Sequence, residues 1–283
     1  MEAIHYELHA DIEDRHWWFA GRRRITRAVL ERVCPPGAGR SIVDVGCGTG
    51  ANLAALADGW RCRGLDASED AVRLAHERFP ALEVVRAEDP LERVDWLREA
   101  DVVLLMDVIE HVQDDFELLS RVLGPLRPGT HVLITVPADP ALWSPHDVSF
   151  GHWRRYEAER LRLTWRGLPV TERVFSGMNA RLLPVIRTVR GVRRRLGRAA
   201  GAANTDFRLP LAPINRALTA FFAGESHRIL GALDGRQGYP AGASWIAVLR
   251  REAGELAPRP KPAGLAPDLH DPSRSAVPWS TVP

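Results

Sequence analysis

Short apolar runs alternate with longer segments of mixed polarity along the first 180 residues. The runs at 42–45, 61–65, 82–86, 101–106 and 130–136 are typical of strands that are buried on both faces of a parallel sheet. Helices are predicted between them at 52–57, 68–79 and 114–123. This alternation predicts an α/β fold with a doubly wound parallel sheet, which binds ligands at the carboxyl ends of its strands.

The second half of the chain is less regular. A helix at 157–166 and a sixth strand at 170–175 are followed by a basic amphipathic helix at 179–200 and a further helix at 215–233. We expect a helical lid at 1–34, a main domain at 35–251 with a helical insertion at about 178–235, and a disordered tail at 252–283, where prolines and polar residues dominate.

Composition narrows the class of protein. With 45% hydrophobic and 26% charged residues the chain resembles an ordinary globular protein, and a net charge of +2 gives no indication of nucleic acid binding. Cys34, Cys47 and Cys62 are odd in number and lack metal-ligand spacing, so we expect no metal site and a reducing compartment. The chain shows neither a signal peptide nor an apolar run of the ~20 residues that span a bilayer, which favours a cytoplasmic location.

The segment Ser41–Leu53 holds the main chemical signal. It is predicted to be a strand, a turn with Gly46, Gly48 and Gly50, and the start of a helix. Such a turn lets a ligand approach the backbone and presents helix N-terminal amides to it. The glycine spacing and Asp66, about 20 residues on, also satisfy the loose dinucleotide fingerprint. The turn alone therefore does not separate a nicotinamide site from other adenosine cofactors.

Asp44 separates these cofactors because it lies where a dinucleotide would place its pyrophosphate. A carboxylate there repels a dianion and attracts an ammonium or a sulfonium. With Asp44, the glycine turn and Asp66, the chain resembles class I S-adenosylmethionine-dependent methyltransferases. This resemblance implies a Rossmann-like, mostly parallel seven-stranded sheet that closes with 244–249. The stretch His16-Trp17-Trp18-Phe19 and the arginines after it are similar to one subgroup, which is itself similar to ubiquinone-pathway O-methyltransferases.

The resemblance also implies the residues that would bind the cofactor, S-adenosyl-L-methionine. Asp66 would accept from both ribose hydroxyls, and Glu88 or Asp89 would contact the adenine. One of the three adjacent arginines Arg22, Arg23 and Arg24 would meet the methionine carboxylate, and the sequence leaves open which one. Solvated acids at 88–89, and aromatic rings that pack on the core beside solvated arginines, are the alternatives. The full predicted set is Arg23, Arg24, Asp44, Gly46, Cys47, Gly48, Asn52, Asp66, Ala67, Glu88, Asp89, Met106 and Asp107.

The acceptor is expected on the other side of the methyl group. His111 in the Met106-Asp-x-x-Glu-His pattern would face it, and the long loop at 137–156 would form its wall. We predict His111 and His146 as catalytic bases, and Trp18, Trp143, Asp147, His152, Arg155 and Tyr156 as substrate-binding residues. Structural histidines, and a loop braced by Asp147 paired with an arginine, are the alternatives.

The sequence thus predicts a methyltransferase that acts on an oxygen, nitrogen or carbon nucleophile of a small molecule, without an obligate protein partner. A non-catalytic cofactor-binding protein and a nicotinamide oxidoreductase are the alternatives. Side chains in place of Gly46 or Gly48 are expected to block the cofactor without unfolding the protein. The basic helix, within residues 181–198, would contact a membrane or an anionic ligand, or would pack its apolar side on the domain and expose its arginines.

Overall fold

The structure is a computed structural model that describes residues 3–195 and 209–254. Its strands are β1 (Ser41–Val45), β2 (Arg61–Asp66), β3 (Glu83–Arg86), β4 (Val102–Met106), β5 (His131–Pro137), β6 (Val170–Met178) and β7 (Ser244–Arg251). Its helices are α1 (Ala3–Ile12), α2 (Trp17–Val33), α3 (Ala51–Ala54), α4 (Glu69–Arg78), α5 (Val94–Glu99), α6 (Asp115–Leu123), α7 (Pro145–Ser149), α8 (Ala158–Leu163), α9 (Leu183–Arg195), α10 (Ala212–Ala223) and α11 (Ser226–Gly231).

The strands form one seven-stranded sheet in the order β3-β2-β1-β4-β5-β7-β6. The pairs from β3 to β5 are parallel, and β7 runs antiparallel to both β5 and β6. Successive strand residues face opposite sides of a sheet. Val103 and Leu105 therefore join one hydrophobic cluster, and Val102 and Leu104 join the other. The predicted fold class and all seven strands are confirmed.

Several predicted helices differ from those observed. The helix predicted at 52–57 is a single turn, α3, which ends at Ala54. The helix predicted at 215–233 is two helices, α10 and α11, separated at Gly224 and Glu225. The first of them begins at Ala212, before the predicted start at 215, and it includes Pro213, which is tolerated in the first turn of a helix. Helices α1 and α2 lie within the helical segment predicted at 1–34, but its division into two helices was not predicted.

The segment 137–156 is more ordered than the predicted loop. It contains a 3₁₀ turn at Pro140–Leu142 and the short helix α7. Ser144 caps this helix, because Asp147 at its third position accepts a hydrogen bond from the Ser144 main-chain nitrogen (2.8 Å) and another from its hydroxyl (3.1 Å). A segment this long is thus held by its own short elements.

One alternative for the basic helix predicts that it packs its apolar side on the domain. The valines of α9 do not pack in this way. Val185, Val189 and Val192, which are spaced to share one side of the helix, are 58%, 44% and 49% exposed. Leu183, at the start of the helix, is buried. The helix therefore presents its three valines to solvent, while Leu182 and Ile186 of the predicted apolar side are half-buried. The rest of the predicted basic segment, 196–200, and the predicted tail from residue 255 lie outside the described residues.

Candidate functional site

The order of the strands places a crevice between β1 and β4. From β1 the chain proceeds to β2 and β3 on one side, and from β4 to β5 on the other. Ligands in open α/β sheets bind outside the carboxyl ends of the strands at such a switch point. Here the glycine turn after β1 and residues 107–111 after β4 lie at that edge, so the two strongest sequence signals meet at one place.

Asp44 is the most unusual group at this edge. Its side chain is 1% exposed, and neither carboxylate oxygen has a hydrogen-bond partner among the described residues. Burial raises the pKa of Asp44 from 3.8 to about 7, although Arg22 opposes this rise. A buried acceptor without a partner costs free energy in an isolated protein. A donor from a ligand, above all a cationic one, would remove that cost.

The glycine turn has the geometry of a ligand-binding loop. The glycine turn has positive φ at Gly46, Gly48 and Gly50 (80°, 56° and 85°). This backbone conformation is strained for residues that carry a side chain. A Cβ added at Gly48 would meet no atom within 4 Å, so the space beside it is open. At Gly46 the added atom would lie 2.7 Å from Cγ2 of Val108. This contact argues against the expectation that the protein stays folded with a valine at Gly46, which stays a prediction for an unfolding measurement to test.

Asp66 lies at the end of β2, next to this turn. One carboxylate oxygen accepts from the Gly48 nitrogen (2.8 Å) and the other from the Ser68 nitrogen (2.9 Å). Each oxygen keeps a further lone pair for a ligand hydroxyl. Tyr6 of α1 lies beside the same acid: burial first, and then the charge of Asp66, raises the pKa of Tyr6. The N-terminal helix thus approaches the place predicted for the ribose, as a lid would.

Arg22 lies at the candidate site, where the resemblance implies an N-terminal arginine. It is buried and forms an ion pair with Asp107, and its guanidinium lies 4.4 Å above the ring of Trp18. The two predicted arginines lie elsewhere. Arg23 donates to the main-chain oxygens of residues 13 and 14, and Arg24 is exposed. Of the three, Arg22 is the arginine at the candidate site.

The other predicted cofactor residues divide into two groups. Cys47, Ala67 and Met106 are buried and line the edge of the sheet, and Asn52 on α3 is half-buried. Glu88 and Asp89 are held by the protein itself: Glu88 is exposed and pairs with Arg86, while Asp89 caps the 3₁₀ turn that follows it and pairs with Arg121. Whether either of these acids contacts an adenine stays a prediction.

A second polar cluster lies after β4. Glu110, His111 and His152 bring ligand-type atoms within 4.8 Å of one another. Glu110 is 0% exposed, and both of its carboxylate oxygens lack a partner among the described residues. Burial first, and then the charge of His152, lowers the pKa of His111 well below 6.5. This cluster can accept hydrogen bonds from a ligand. That the protein holds no metal stays a prediction, which dialysis against a chelator tests.

Asp147 fixes the orientation of His152. One carboxylate oxygen accepts from Nδ1 of His152 (3.0 Å) and from Nε of Arg155 (2.8 Å). Burial alone would raise the pKa of Asp147, but the hydrogen bond with His152 and the charge of Arg155 lower it, so Asp147 stays ionised. With Nδ1 as the donor, Nε2 is the proton-accepting nitrogen of His152. Asp147 thus pairs with an arginine, as the alternative of a braced loop predicts.

The remaining predicted acceptor residues lie around this cluster. His146 is half-buried, and its ring centroid lies 4.2 Å from that of Phe150 and 6.4 Å from that of His152. Trp143 is half-buried between the two short elements of the loop. Tyr156 is fully buried and donates to Asp115 (2.9 Å). Burial raises the pKa of Tyr156, and its hydroxyl bonds within the protein, so a contact of Tyr156 with an acceptor stays a prediction.

The aromatic stretch at the start of α2 joins the N-terminal segment to the insertion. His16 caps α2, and its Nδ1 accepts from the nitrogen of Trp18 (3.3 Å). The ring of Trp17 packs edge-on against Phe222 of α10, at 5.9 Å between centroids. Phe19 is buried. These rings pack inside the protein, while Trp18 reaches the candidate site through Arg22.

Comparison with known proteins assigns this geometry to a family. A family model described as a methyltransferase domain matches residues 17–176, which is more than half of the chain and includes both polar clusters. The chain belongs to the methyltransferase-domain family. The match begins at Trp17 and ends within β6, so the helical insertion and β7 lie outside it.

Curated relatives match parts of this methyltransferase-domain protein. A probable S-adenosylmethionine-dependent methyltransferase of Mycolicibacterium smegmatis is 32% identical over 130 residues, which are 44% of this chain and 48% of that protein. A trans-aconitate 2-methyltransferase of Rhodopseudomonas palustris is 29% identical over 151 residues (50% and 57%). A ubiquinone biosynthesis O-methyltransferase of Cupriavidus pinatubonensis is 35% identical over 104 residues (35% and 39%). The chain spans about half the length of the curated relatives it matches.

Solved structures support the fold. The complex of the Haloferax volcanii Trm112 methyltransferase activator with a putative methyltransferase contains a chain that is 18% identical, with a TM-score of 0.52, over 89% of this chain and 95% of that one. At this identity the likeness shows the fold alone. It agrees with the seven-stranded, mostly parallel sheet.

Sequence reasoning missed several residues of this site. Tyr6 belongs to a helix that carried no clear periodicity. Glu13 was missed as well; it is buried, and it accepts from the hydroxyl of Thr49 and pairs with Arg78. Glu110 lies in the motif that predicted His111, but it was given no role. An acid next to a histidine after a buried strand is a signal that could have identified it.

Proposed function

We propose that this protein binds S-adenosylmethionine at the carboxyl edge of the sheet and transfers its methyl group to an oxygen, nitrogen or carbon nucleophile of a small molecule. The observation that carries this proposal is the buried carboxylate of Asp44, which has no partner among the described residues and lies beside an open glycine turn. The nicotinamide alternative would place a pyrophosphate next to that carboxylate. The matching family model and the names of the curated relatives support the same interpretation.

The residues at the edge fit this cofactor. Asp44 would bind the ammonium, Asp66 the ribose hydroxyls, and the open space at Gly48 would admit the ligand close to the backbone. Arg22 would meet the carboxylate, since its Nε lacks a partner among the described residues. When bound, the cofactor supplies an activated methyl group. The protein then has to align the acceptor and exclude water. The buried side chains of Asp44 and Glu110 lie where water would be excluded.

The cluster after β4 is the proposed acceptor site. A ring whose pKa lies well below 6.5 stays neutral at physiological pH, so His111 can accept a proton from an acceptor hydroxyl. His152, oriented by Asp147, lies next to it at 4.8 Å between ring centroids. Glu110 would accept a hydrogen bond from the same acceptor. Two curated relatives are named for small-molecule methylation, of trans-aconitate and in ubiquinone biosynthesis, which supports a small organic acceptor.

The proposal is tested with cofactor labelled in its methyl group. Purified protein is incubated with the labelled cofactor and the small-molecule fraction of a cell extract, and Asp44→Asn serves as the matched control. Transfer of label by the parent but not by the variant is the expected result. Cofactor binding by the parent without transfer to any fraction would instead support the non-catalytic alternative. Binding of NAD in place of S-adenosylmethionine would contradict the proposal.

A further inference from the structure

Helices α9 and α10 carry an unusual amount of exposed apolar surface. Among the residues whose exposure the structure describes, every exposed large hydrophobic side chain except Val148 belongs to this one segment. We call this set the α9–α10 surface: Val185, Val189, Val192, Leu209, Leu211, Ile214 and Phe221, with exposed fractions from 44% to 75%. Scattered single apolar side chains at a protein surface are normal, whereas large ones that are concentrated in one part of a chain mark a binding surface.

The charge of the segment is equally one-sided. Between Arg181 and Gly224 the sequence has nine arginines and one acid, Asp206. On α9, Arg195 is exposed next to the apolar side of the helix. Apolar side chains beside an arginine complement an anionic membrane, whose interior is apolar and whose headgroups are negatively charged. No helix among the described residues is long and apolar enough to span a bilayer, so the contact would be peripheral.

Two other arginines of α9 attach the helix to the acceptor loop. Nε of Arg187 donates to Asp139 at 2.8 Å, and Arg190 donates to the main-chain oxygen of Leu142. Helical spacing puts both on the side opposite Val185 and Val189. This reverses the usual arrangement, in which the apolar side packs inward. The apolar side is therefore held outward, and the segment that holds it is the same one that bears Asp147 and His152.

We propose that the α9–α10 surface docks on anionic lipid. Its valines, leucines, isoleucine and phenylalanine would enter the headgroup boundary, and its arginines would contact the lipid phosphates. Docking in this way would bring the loop at 137–156 to the lipid surface, where an acceptor with an apolar tail could reach it. Lipid binding by this surface is independent of the proposed methyl transfer, so vesicle binding without any transfer would leave it standing.

The experiment is co-sedimentation of the full chain with vesicles at low salt. Vesicles of phosphatidylglycerol and phosphatidylcholine in equal amounts are compared with vesicles of phosphatidylcholine alone. We expect the parent to bind the anionic vesicles at least tenfold more tightly, and Val185→Ser/Val189→Ser to weaken that binding at least tenfold. Arg195→Gln should weaken it about fivefold, and high salt should weaken it further.

Two controls keep the test specific. Val148→Ser removes an exposed valine outside the α9–α10 surface, and Arg98→Gln removes an exposed arginine of α5. Both should bind the vesicles within about twofold of the parent. All variants should keep the unfolding temperature of the parent, because the substituted side chains are exposed.

Three results would overturn the proposal. The first is no vesicle binding by the parent, or equal binding to neutral and anionic vesicles. The second is a clear fall in the unfolding temperature of the double serine variant, which would mean that another part of the chain covers the surface. The third is a dimer of the parent, detected by light scattering, that the same variant dissociates, since a second copy would then be the occupant.

Discussion

Replacing Asp44 with asparagine should have opposite effects on stability and on cofactor binding. The substitution keeps the shape of the side chain and removes its charge. A pKa raised from 3.8 to about 7 corresponds to about 4 kcal/mol of destabilisation of the folded protein above pH 7. This cost is absent below pH ~4, where the acid is protonated in both states, and it grows as the pH rises to about 7.

The free variant should therefore be more stable than the parent at pH 8, by about 1 to 4 kcal/mol, and equally stable near pH 4. Cofactor affinity should change in the other direction. A charge-assisted hydrogen bond contributes about 1.5 to 3 kcal/mol, so S-adenosylmethionine should bind Asp44→Asn about tenfold to a hundredfold more weakly. For the parent, affinity should fall about tenfold per pH unit below pH ~7, because protonation of Asp44 competes with the ligand.

Calorimetric titration and thermal unfolding at pH 4 and pH 8 measure both effects. 5′-Methylthioadenosine, which lacks the amino acid part, is the matched ligand, and it should bind the parent and the variant within about twofold. Equal affinity of the two proteins for S-adenosylmethionine would refute the placement of the ammonium at Asp44. Loss of methylthioadenosine binding in the variant would show that the substitution damages the pocket instead.

Three further predictions concern other parts of the site. Asp66→Ala should lower cofactor affinity about thirtyfold, a loss of about 2 kcal/mol, and equal binding would remove Asp66 from the site. Gly48→Ala should weaken cofactor binding at least tenfold and should lower the unfolding temperature less than Gly46→Ala does, because both glycines have positive φ but only a Cβ at Gly46 meets a core valine; a larger fall for Gly48→Ala would contradict the geometry. His111→Ala should lower turnover at least a hundredfold and leave cofactor affinity unchanged, and its effect on turnover should exceed that of His146→Ala. Because the pKa of His111 is lowered, turnover of the parent should persist below pH 6.5. Near-parental turnover of both variants would make these histidines structural.

The sheet was predictable because its pattern is local. Apolar runs such as 102–106 are short, buried on both faces and bounded by turn residues. Their positions in the sequence therefore show where the strands lie, and the helices occupy the segments between them. The resemblance to S-adenosylmethionine-dependent methyltransferases, confirmed by the family model, supplied the closing strand at 244–249, which the structure shows to be antiparallel to β5. Asp44 and Asp66 could be identified because they are the next-to-last residue of β1 and the last residue of β2, at the carboxyl edge of the sheet.

The contacts between distant segments were not predictable. Which of three adjacent arginines faces the site depends on the rotation of α2, which is set by the packing of Trp17 on α10, nearly two hundred residues later. The outward side of α9 depends on Arg187 and Arg190, which find partners in the loop at 137–156. A helical wheel gives the apolar side of a helix, but it does not say whether that side faces the core.

The most direct test of the proposed cofactor site is calorimetric titration of the full chain, at pH 7.5, with S-adenosylmethionine and separately with NAD. The open glycine turn beside a buried carboxylate without a partner among the described residues predicts one site for S-adenosylmethionine, with an affinity at least a hundredfold above that for NAD. Binding of NAD with equal or higher affinity, or no binding of S-adenosylmethionine, would contradict it.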